Sequence, residues 1–344
     1  MNGSRIKSPL SPTRVLYTSF ALCLLLLLTM ILCLLVGTAD VTLNQLWSLL
    51  AGDEDVKETA RLIVLRIRLP RIILAGLTGF SLSLGGLVFQ ALLRNPLADP
   101  FILGVSSGGA LGAVLGIILG LSFSLGIPLL SFAGALITIN LVMAVGRRKM
   151  GMESTTILLT GVIINAFFTA IIMFFIATAV DDRLHTMLFW LYGDLSQSHY
   201  RESALVAPVV LGAFVILYSF SRHLNLITAG EETALQLGVD VPKVKTICFL
   251  VVSLVIGLIV SFSGLIGFVG LIVPHMARMA LGADHRLLMP VSALGGAIFL
   301  IAADTLARTV ISPAELPVGV ITAFMGAPFF VYLLRTKGSK WTRS

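Results

Sequence analysis

Residues able to do chemistry are scarce in this 344-residue chain, because Asp, Glu, Lys and Arg make up only 12% of it. An ATPase needs a phosphate-binding loop that contains Gly-Lys, and the sequence has no Gly-Lys pair. A zinc protease needs His-Glu-x-x-His on a helix, and none of the 5 histidines has that spacing. We therefore predict surface or interface histidines, and no catalytic residue, cofactor or metal site.

One carboxylate stands where it could couple transport to an ion gradient. Asp304 is the acidic residue nearest to mid-membrane depth, and such residues serve as ion or proton sites in secondary transporters. Arg308 follows four residues later on the same helix face, which favours a local ion pair near the outer end of that helix. The energy source is then expected in a partner protein, and an ion-coupled secondary transporter without an ATPase is the alternative.

The elements that position these groups are predicted to be membrane-spanning helices, since 57% of the residues are hydrophobic and the mean hydropathy is +1.00. About 20 apolar residues cross a hydrocarbon core of about 30 Å. The uncharged tract 100–146 is too long for one span and should turn at Gly120 to Pro128, while 246–277 should break at its glycines. The sequence therefore predicts an all-α polytopic membrane protein with about ten spans.

The basic residues predict the orientation. Placing both termini in the cytoplasm puts most of the 24 Lys and Arg residues on the cytoplasmic side, as the positive-inside rule requires. We therefore predict cytoplasmic tails at 1–14 and 336–344 around a transmembrane domain at 15–335. The net charge of +7 then reflects membrane orientation, and nucleic-acid binding is not needed to explain it.

Polar residues collect in three segments outside the spans, at 40–71 and 180–202 on the outer side and at 222–245 on the inner side. Residues 183–192 have apolar spacing that suits a short helix against the membrane surface. The inner segment is typical of two short helices, because an acidic turn follows Gly230, Gly238 supplies a stop and Pro242 a new start.

A glycine at every fourth residue marks one helix, from Gly104 to Gly120. Stripes of small residues let helix backbones approach closely in lipid. We interpret this stripe as a packing surface within the subunit, with a seam between two subunits as the alternative.

Several motifs occur in order along the chain. They are Arg-Leu-Pro-Arg at 68–71, Arg-Asn-Pro-Leu-Ala-Asp-Pro at 94–100, Val-Pro-His-Met-Ala-Arg at 273–278, Gly-Ala-Asp-His-Arg at 282–286 and Glu-Leu-Pro-Val-Gly at 315–319. Together they resemble the FecCD-type permeases of iron-chelate and vitamin B12 ABC importers, and the resemblance covers about Arg61 to about Arg335.

This resemblance implies a type II ABC importer permease with ten helices in each subunit. It implies a homodimer, or a pair of related permeases, with the translocation path on the two-fold axis. Two cytoplasmic ABC ATPase subunits and an external substrate-binding protein are the implied partners, and the bacterial inner (plasma) membrane is the implied location.

The resemblance also implies roles for individual residues. Arg68, Arg71 and Arg308 match outer arginines that meet carboxylates on the binding protein, a pairing that suits bidentate guanidinium chemistry. Snorkelling to the lipid headgroups is the alternative for Arg71.

Two inner-side sites follow from the same resemblance. Ser154 and Thr155 match a cytoplasmic gate, although hydroxyls at a helix start also serve as N-caps. The segment 229–239 matches the coupling helices that sit in a cleft of the ATPase, and apolar residues within it argue against a merely solvated loop. Its candidate residues are Gly230, Glu231, Ala234, Leu237 and Gly238.

The sequence thus predicts a permease that moves a ferric siderophore, haem or cobalamin by ATP-driven alternating access. The binding protein would set most of the selectivity, because the motifs are shared among permeases for all three substrates. A membrane enzyme is disfavoured by the missing catalytic clusters.

Overall fold

The structure is a computed structural model, and it describes residues 11–37, 39, 41–51, 58–101, 104–148, 151–152, 154–179 and 183–341. Most of the predicted N-terminal tail and the last three residues of the predicted C-terminal tail lie outside these ranges. The final helix continues through most of the predicted C-terminal tail, to Trp341.

The described chain is helical except for a two-residue antiparallel ladder, in which β1 (Arg147–Arg148) pairs with β2 (Gly151–Met152). A π-helical turn, Ile63–Arg68, joins α3 to α4. The α-helices are α1 Pro12–Leu35, α2 Leu43–Ala51, α3 Glu58–Leu62, α4 Leu69–Leu92, α5 Val105–Ile118, α6 Gly126–Gly146, α7 Ser154–Thr178, α8 Arg183–Leu191, α9 Tyr200–Ser219, α10 Ser221–Ala229, α11 Glu231–Gln236, α12 Val241–Ser263, α13 Val269–Leu281, α14 His285–Thr309 and α15 Val318–Trp341.

The membrane spans agree with the prediction of about ten. Within the described residues, 7 helical stretches are long and apolar enough to cross a membrane, and α5, α13 and the apolar part of α15 are shorter apolar helices. The long tract 100–146 turns between α5 and α6, and the tract 246–277 breaks between α12 and α13, as expected. The predicted short helices α8 and α11 are also present. The predicted start at Pro242 is the start of the long helix α12, and the other short inner helix, α10, lies before Gly230.

The break after α12 depends on a glycine. Gly264 has a φ of +66°, and a Cβ at this position would collide with the carbonyl oxygen of Trp190. Next to it, the amide of Asp194 donates to the Ser263 carbonyl at 3.0 Å. The broken segment therefore packs directly on the backbone that follows α8.

Helix α14 packs along α4 through glycines. Gly79 of α4 and Gly296 of α14 face each other so closely that a Cβ on either would collide with the other's carbonyl oxygen. Small residues allow this approach, and in lipid close van der Waals packing replaces the hydrophobic effect as the force that holds helices together.

The predicted glycine stripe packs within the subunit, so its interpretation as internal packing is confirmed. Cβ atoms at Gly108 and Gly112 of α5 would collide with the backbone of α6, at Gly134 and Leu130 respectively. Helix α1 differs, since only 6% of its most apolar window is buried, and we assign it to the lipid-facing edge.

Helices α4 and α14 run antiparallel, which defines two ends of the molecule. The cluster end contains Arg68, Arg71, Asp304, Arg308 and Glu315. The hairpin end contains the α10–α11 hairpin (residues 221–237), the 282–284 turn before α14 and the segment 93–101 after α4.

Candidate functional site

The α10–α11 hairpin presents two leucines away from the protein body. Leu235 is 53% exposed and Leu237 is 63% exposed, although leucine normally avoids water. The opposite face of the hairpin is anchored, because Leu224 and Ile227 of α10 are fully buried. The hairpin is thus a fixed element with an apolar tip.

All the residues predicted for ATPase coupling lie on this hairpin or directly after it. Gly230 is the C-cap of α10, Glu231 begins α11, and Gly238 ends the segment with a φ of +83° that favours glycine. Ala234 is fully buried, so its methyl group packs inward and Leu237 supplies the exposed surface.

One ion pair attaches α11 to α12. Lys245 Nζ donates to Glu231 Oε1 at 2.6 Å, and the lysine side chain is only 5% exposed. A buried ammonium requires a charged partner. Glu231 therefore positions α11, a contact that the sequence prediction did not include.

A second attachment joins α10 to the turn before α14. Asn225 Nδ2 donates to Asp284 Oδ1 at 2.8 Å, and Asn225 Oδ1 accepts from the backbone amide of His285 at 2.8 Å. Arg286 binds the same carboxylate through Nε and Nη2, and Nη2 lies 2.6 Å from Oδ2. The hydrogen bond from Arg286 lowers the pKa of Asp284 to about 2, so the carboxylate is charged near neutral pH.

The cluster end gathers charges that are far apart in the sequence. Arg71 Nε and Nη2 donate to Asp304 at distances between 2.9 and 3.1 Å, and both side chains are buried. Arg71 Nη1 contacts Glu315 Oε2 at 2.7 Å, and Glu315 is 41% exposed. The predicted local pair is confirmed, with Arg308 Nε 3.5 Å from Asp304 Oδ2.

The other donors of the cluster bind the C-terminal end of α1. Arg68 donates to the carbonyl oxygens of Leu34 at 2.7 Å and Ala39 at 2.5 Å. Arg308 Nη2 donates to the carbonyl oxygen of Cys33 in α1 at 3.4 Å, and also to Thr305 Oγ1 of its own helix at 3.1 Å. The three predicted docking arginines are therefore buried and bonded within the subunit, and their docking role stays a prediction.

The predicted gate residues begin α7. Ser154 is its first residue, and its side chain lies outside the described part of the structure, while Thr155 is exposed. Both positions lie where α7 begins, at the hairpin end of the molecule. Their gating role stays a prediction.

A cavity of about 370 Å³ lies between α5, α7 and α8. Its walls are mainly apolar, and its polar groups come from Ser106 and Ser107 of α5, Asn165 and Thr169 of α7, and Tyr192. These groups are uncharged hydroxyls and one amide. The cavity could therefore contact a polar solute without holding it by charge.

The described residues offer little for metal or redox chemistry. No group of three or more His, Cys, Asp or Glu side chains among them could hold a metal ion. Cys23, Cys33 and Cys248 are free thiols, and Cys33 and Cys248 are buried.

Comparisons with known proteins find permeases of import and transport systems. The model of the FecCD transport family matches residues 25–336. The cobalamin import system permease BtuC of Halobacterium salinarum is 45% identical over 82% of this chain and 76% of its own length. The hemin transport permease HmuU of Yersinia pestis is 39% identical over 87% of this chain and 89% of its own length.

A solved structure extends the match to three dimensions. It is an inward-facing conformation of a metal-chelate type ABC transporter, with a TM-score of 0.82 and 31% sequence identity. The alignment covers 93% of this chain and 99% of that one.

Proposed function

The chain belongs to the FecCD transport family, and from that premise we propose that it is the permease subunit of an ATP-driven importer for a metal-chelate compound. Its substrate would be a ferric siderophore, haem or cobalamin, because the named relatives transport cobalamin and hemin. The hairpin end would face the cytoplasm, with both termini on that side. The importer would work by alternating access in the plasma membrane.

The apolar tip of the α10–α11 hairpin is the observation that carries this proposal. Leu235 and Leu237 are exposed on an anchored element at the proposed cytoplasmic face, where a stable protein would normally bury such side chains. A cleft in an ATPase subunit would cover them. When they bind ATP, two ATPase subunits would close against each other and push the hairpins of a permease dimer, or of two related permeases.

The cluster end would receive the substrate-binding protein. Arg68, Arg71 and Arg308 are the proposed docking residues, and all three lie beneath the surface. The contact of Arg71 with the half-exposed Glu315 is the one that a partner's carboxylate could most readily replace. Docking through these arginines would therefore exchange one internal ion pair for an intermolecular one.

The substrate path would pass between two subunits along α7. The exposed face of this helix contains large apolar residues, including Phe167 at 62% and Phe174 at 62%. The cavity beside it supplies uncharged polar groups. Such a wall would let a large chelate move on without binding tightly, and Ser154 and Thr155 would close the path at its cytoplasmic end.

The alternative, an ion-coupled transporter, requires a carboxylate that is free to bind an ion. Asp304 instead contacts both Arg71 and Arg308 and is 1% exposed. An aspartate whose oxygens already bind two guanidinium groups is not free to coordinate an ion. The geometry therefore supports an energy source in partner subunits.

Uptake by proteoliposomes tests the proposal. The chain would be purified with the ABC ATPase and the binding protein encoded nearest to it, and then offered cyanocobalamin, haemin or a ferric siderophore. We expect ATP-dependent uptake of one of them. Uptake driven by an ion gradient in vesicles that contain the permease alone would overturn the proposal.

Substitution at the hairpin tip tests the ATPase contact separately. Leu237→Ser should weaken co-purification of the ATPase by at least tenfold, because it removes an apolar anchor from the interface. Leu43→Ser is the matched control, since Leu43 is 65% exposed on α2, far from the hairpin in the sequence. Equal loss in both variants would contradict the assignment.

A further inference from the structure

The contact between the hairpin and the start of α14 depends on both the nitrogen and the oxygen of the Asn225 side-chain amide. Asn225 donates through Nδ2 to Asp284 Oδ1 and accepts through Oδ1 from the His285 amide, each at 2.8 Å. The ring nitrogen Nδ1 of His285 lies 2.7 Å from Asn225 Oδ1. A side chain with a donor and an acceptor side by side satisfies this pattern, which an aliphatic side chain cannot do.

Asp284 is itself held in a fixed orientation. Its Oδ1 accepts from the Arg286 amide at 3.0 Å, which makes it the N-cap of α14. The Arg286 guanidinium binds both carboxylate oxygens in a bidentate arrangement. The carboxylate that receives Asn225 is therefore fixed to α14 and moves with it.

Helix α14 extends from this turn to the opposite end of the molecule. Its 25 residues are helical throughout, a length of about 37 Å at a rise of about 1.5 Å per residue. It packs along α4 at Gly79 and Gly296, and its far end contains Asp304 and Arg308 in the buried charge cluster. One continuous helix thus connects this turn to the residues at the cluster end.

We propose that Asn225 and Asp284 form a mechanical joint that transmits movement of the α10–α11 hairpin into α14 and so to the docking end of the permease. This inference rests on the proposed function, since the hairpin moves only if an ATPase pushes it. Asn225, Asp284 and Arg286 are positioning residues in this scheme. None of them belongs to the exposed hairpin tip.

A second contact could transmit movement of the hairpin, through α12 and not through α14. Glu231 and Lys245 join α11 to α12, which ends at the Gly264 break and has no part in the charge cluster. Movement along that route would reach the segment at Trp190 and Asp194, on which the end of α12 packs, without passing through α14. The two routes can be separated because they use different side chains.

Distances between spin labels in the full complex test the joint. Val310→Cys, 61% exposed at the C-terminal end of α14, would be labelled in a variant whose three native cysteines are replaced. The permease dimer with its ATPase would be measured in nanodiscs without nucleotide and after trapping with Mg-ATP and vanadate. We expect the distance between the two labels to change on trapping.

Breaking the joint should reduce that change by at least half. Asn225→Ala is the main variant, and the double variant Asn225→Asp with Asp284→Asn should recover more of the change than Asp284→Asn alone, because it again pairs an amide with a carboxylate. Asn140→Ala is the matched control, since Asn140 is exposed on α6 and bonds to the Leu136 carbonyl of its own helix. It should leave the distance change intact.

The possible outcomes distinguish failure of the joint from failure of the proposed function. A full distance change in Asn225→Ala, with ATPase still bound, would overturn the joint. Loss of the change in Glu231→Gln but not in Asn225→Ala would overturn it in favour of the α12 route. An unsubstituted permease that binds no ATPase would refute the proposed function, and the joint with it. Thermal unfolding of each variant identifies one that has merely misfolded.

Discussion

The two ends of α14 are attached to the rest of the molecule by different kinds of contact. At the cluster end, Asp304 is 1% exposed and contacts two arginines from separate elements of the bundle. At the hairpin end, Asp284 and Arg286 are 28% and 35% exposed, and the link to α10 consists of hydrogen bonds to one amide side chain. One end is locked by buried charge, and the other is held by contacts that water can replace.

This difference assigns stability and movement to different places. Removing one partner of a buried ion pair leaves a desolvated charge and costs about 3–5 kcal/mol. A single hydrogen bond contributes about 1 kcal/mol, and less where water competes for its groups. The cluster end therefore keeps α4, α14 and the end of α1 together, so that a movement received at the hairpin end would shift them as one unit.

The largest expected effect comes from breaking the cluster end. Asp304→Asn should destabilise the protein by about 3–5 kcal/mol, because it leaves two buried guanidinium groups without their shared carboxylate. Thermal unfolding in detergent, followed by tryptophan fluorescence, would measure the loss. Asp284→Asn is the matched change at the hairpin end and should cost far less, and equal losses would erase the distinction.

Acid titration sharpens the description of the hairpin end. Burial raises the pKa of Asp99, in the segment 93–101 after α4, to about 6 from the usual 3.8. Below pH 6 the folded protein binds a proton that the unfolded chain binds only near pH 4, so stability should rise as the pH falls from 7.5 to 5. At about 1.4 kcal/mol per pH unit below the folded pKa, the gain at pH 5 is about 1 kcal/mol.

The matched variant for this titration is Asp99→Asn, which keeps an acceptor for the Phe101 amide. Its stability should show less dependence on pH over the same range. Asp284 should add nothing between pH 7.5 and 5, because its pKa of about 2 is below that of the unfolded chain, and its contribution is lost only as the pH falls below about 4. An unfolding temperature that falls between pH 7.5 and 5 in the unsubstituted protein alone would contradict the Asp99 prediction.

Much of the fold could be predicted from local sequence. The uncharged tracts predicted the spans, and glycine marked where a long tract breaks, because Gly264 adopts a conformation that other residues rarely take. The stripe from Gly104 predicted a close helix contact but not its partner. Spacing along one helix shows which face is smooth, whereas the helix that packs on it is set by the three-dimensional fold.

The sites were predictable to the extent that their contacts are local. The Asp304 pair with Arg308 was found because the residues are four apart on one helix. The pair with Arg71 was missed because it joins residues 233 positions apart, and the contact of Asn225 with Asp284 spans 59 positions. A single sequence contains no signal for such pairs beyond the presence of a charged or amide group in an apolar region.

A substitution where α4 and α14 cross, between the two ends, should destabilise the protein less than breaking the cluster end. Gly79→Ala should cost about 1–3 kcal/mol, because a Cβ there would collide with the Gly296 carbonyl and push α14 away from α4. Gly212→Ala is the control, since a Cβ at that exposed position in α9 meets no atom within 4 Å. The control should be neutral or slightly stabilising in thermal unfolding. A neutral Gly79→Ala would show that the two helices are not in close contact.

The smallest effect should come from the exposed member of the charge cluster. Glu315→Gln should change stability by less than about 1 kcal/mol, because Glu315 is 41% exposed and Arg71 keeps its bonds to Asp304. If docking exchanges this contact, the same variant should bind the substrate-binding protein more tightly, since no internal carboxylate then competes for Arg71. Titration of that protein onto nanodisc-embedded permease would measure the dissociation constant. Weaker binding would indicate that Glu315 itself contacts the partner, and the cluster end would then dock through its acidic edge and not through its arginines.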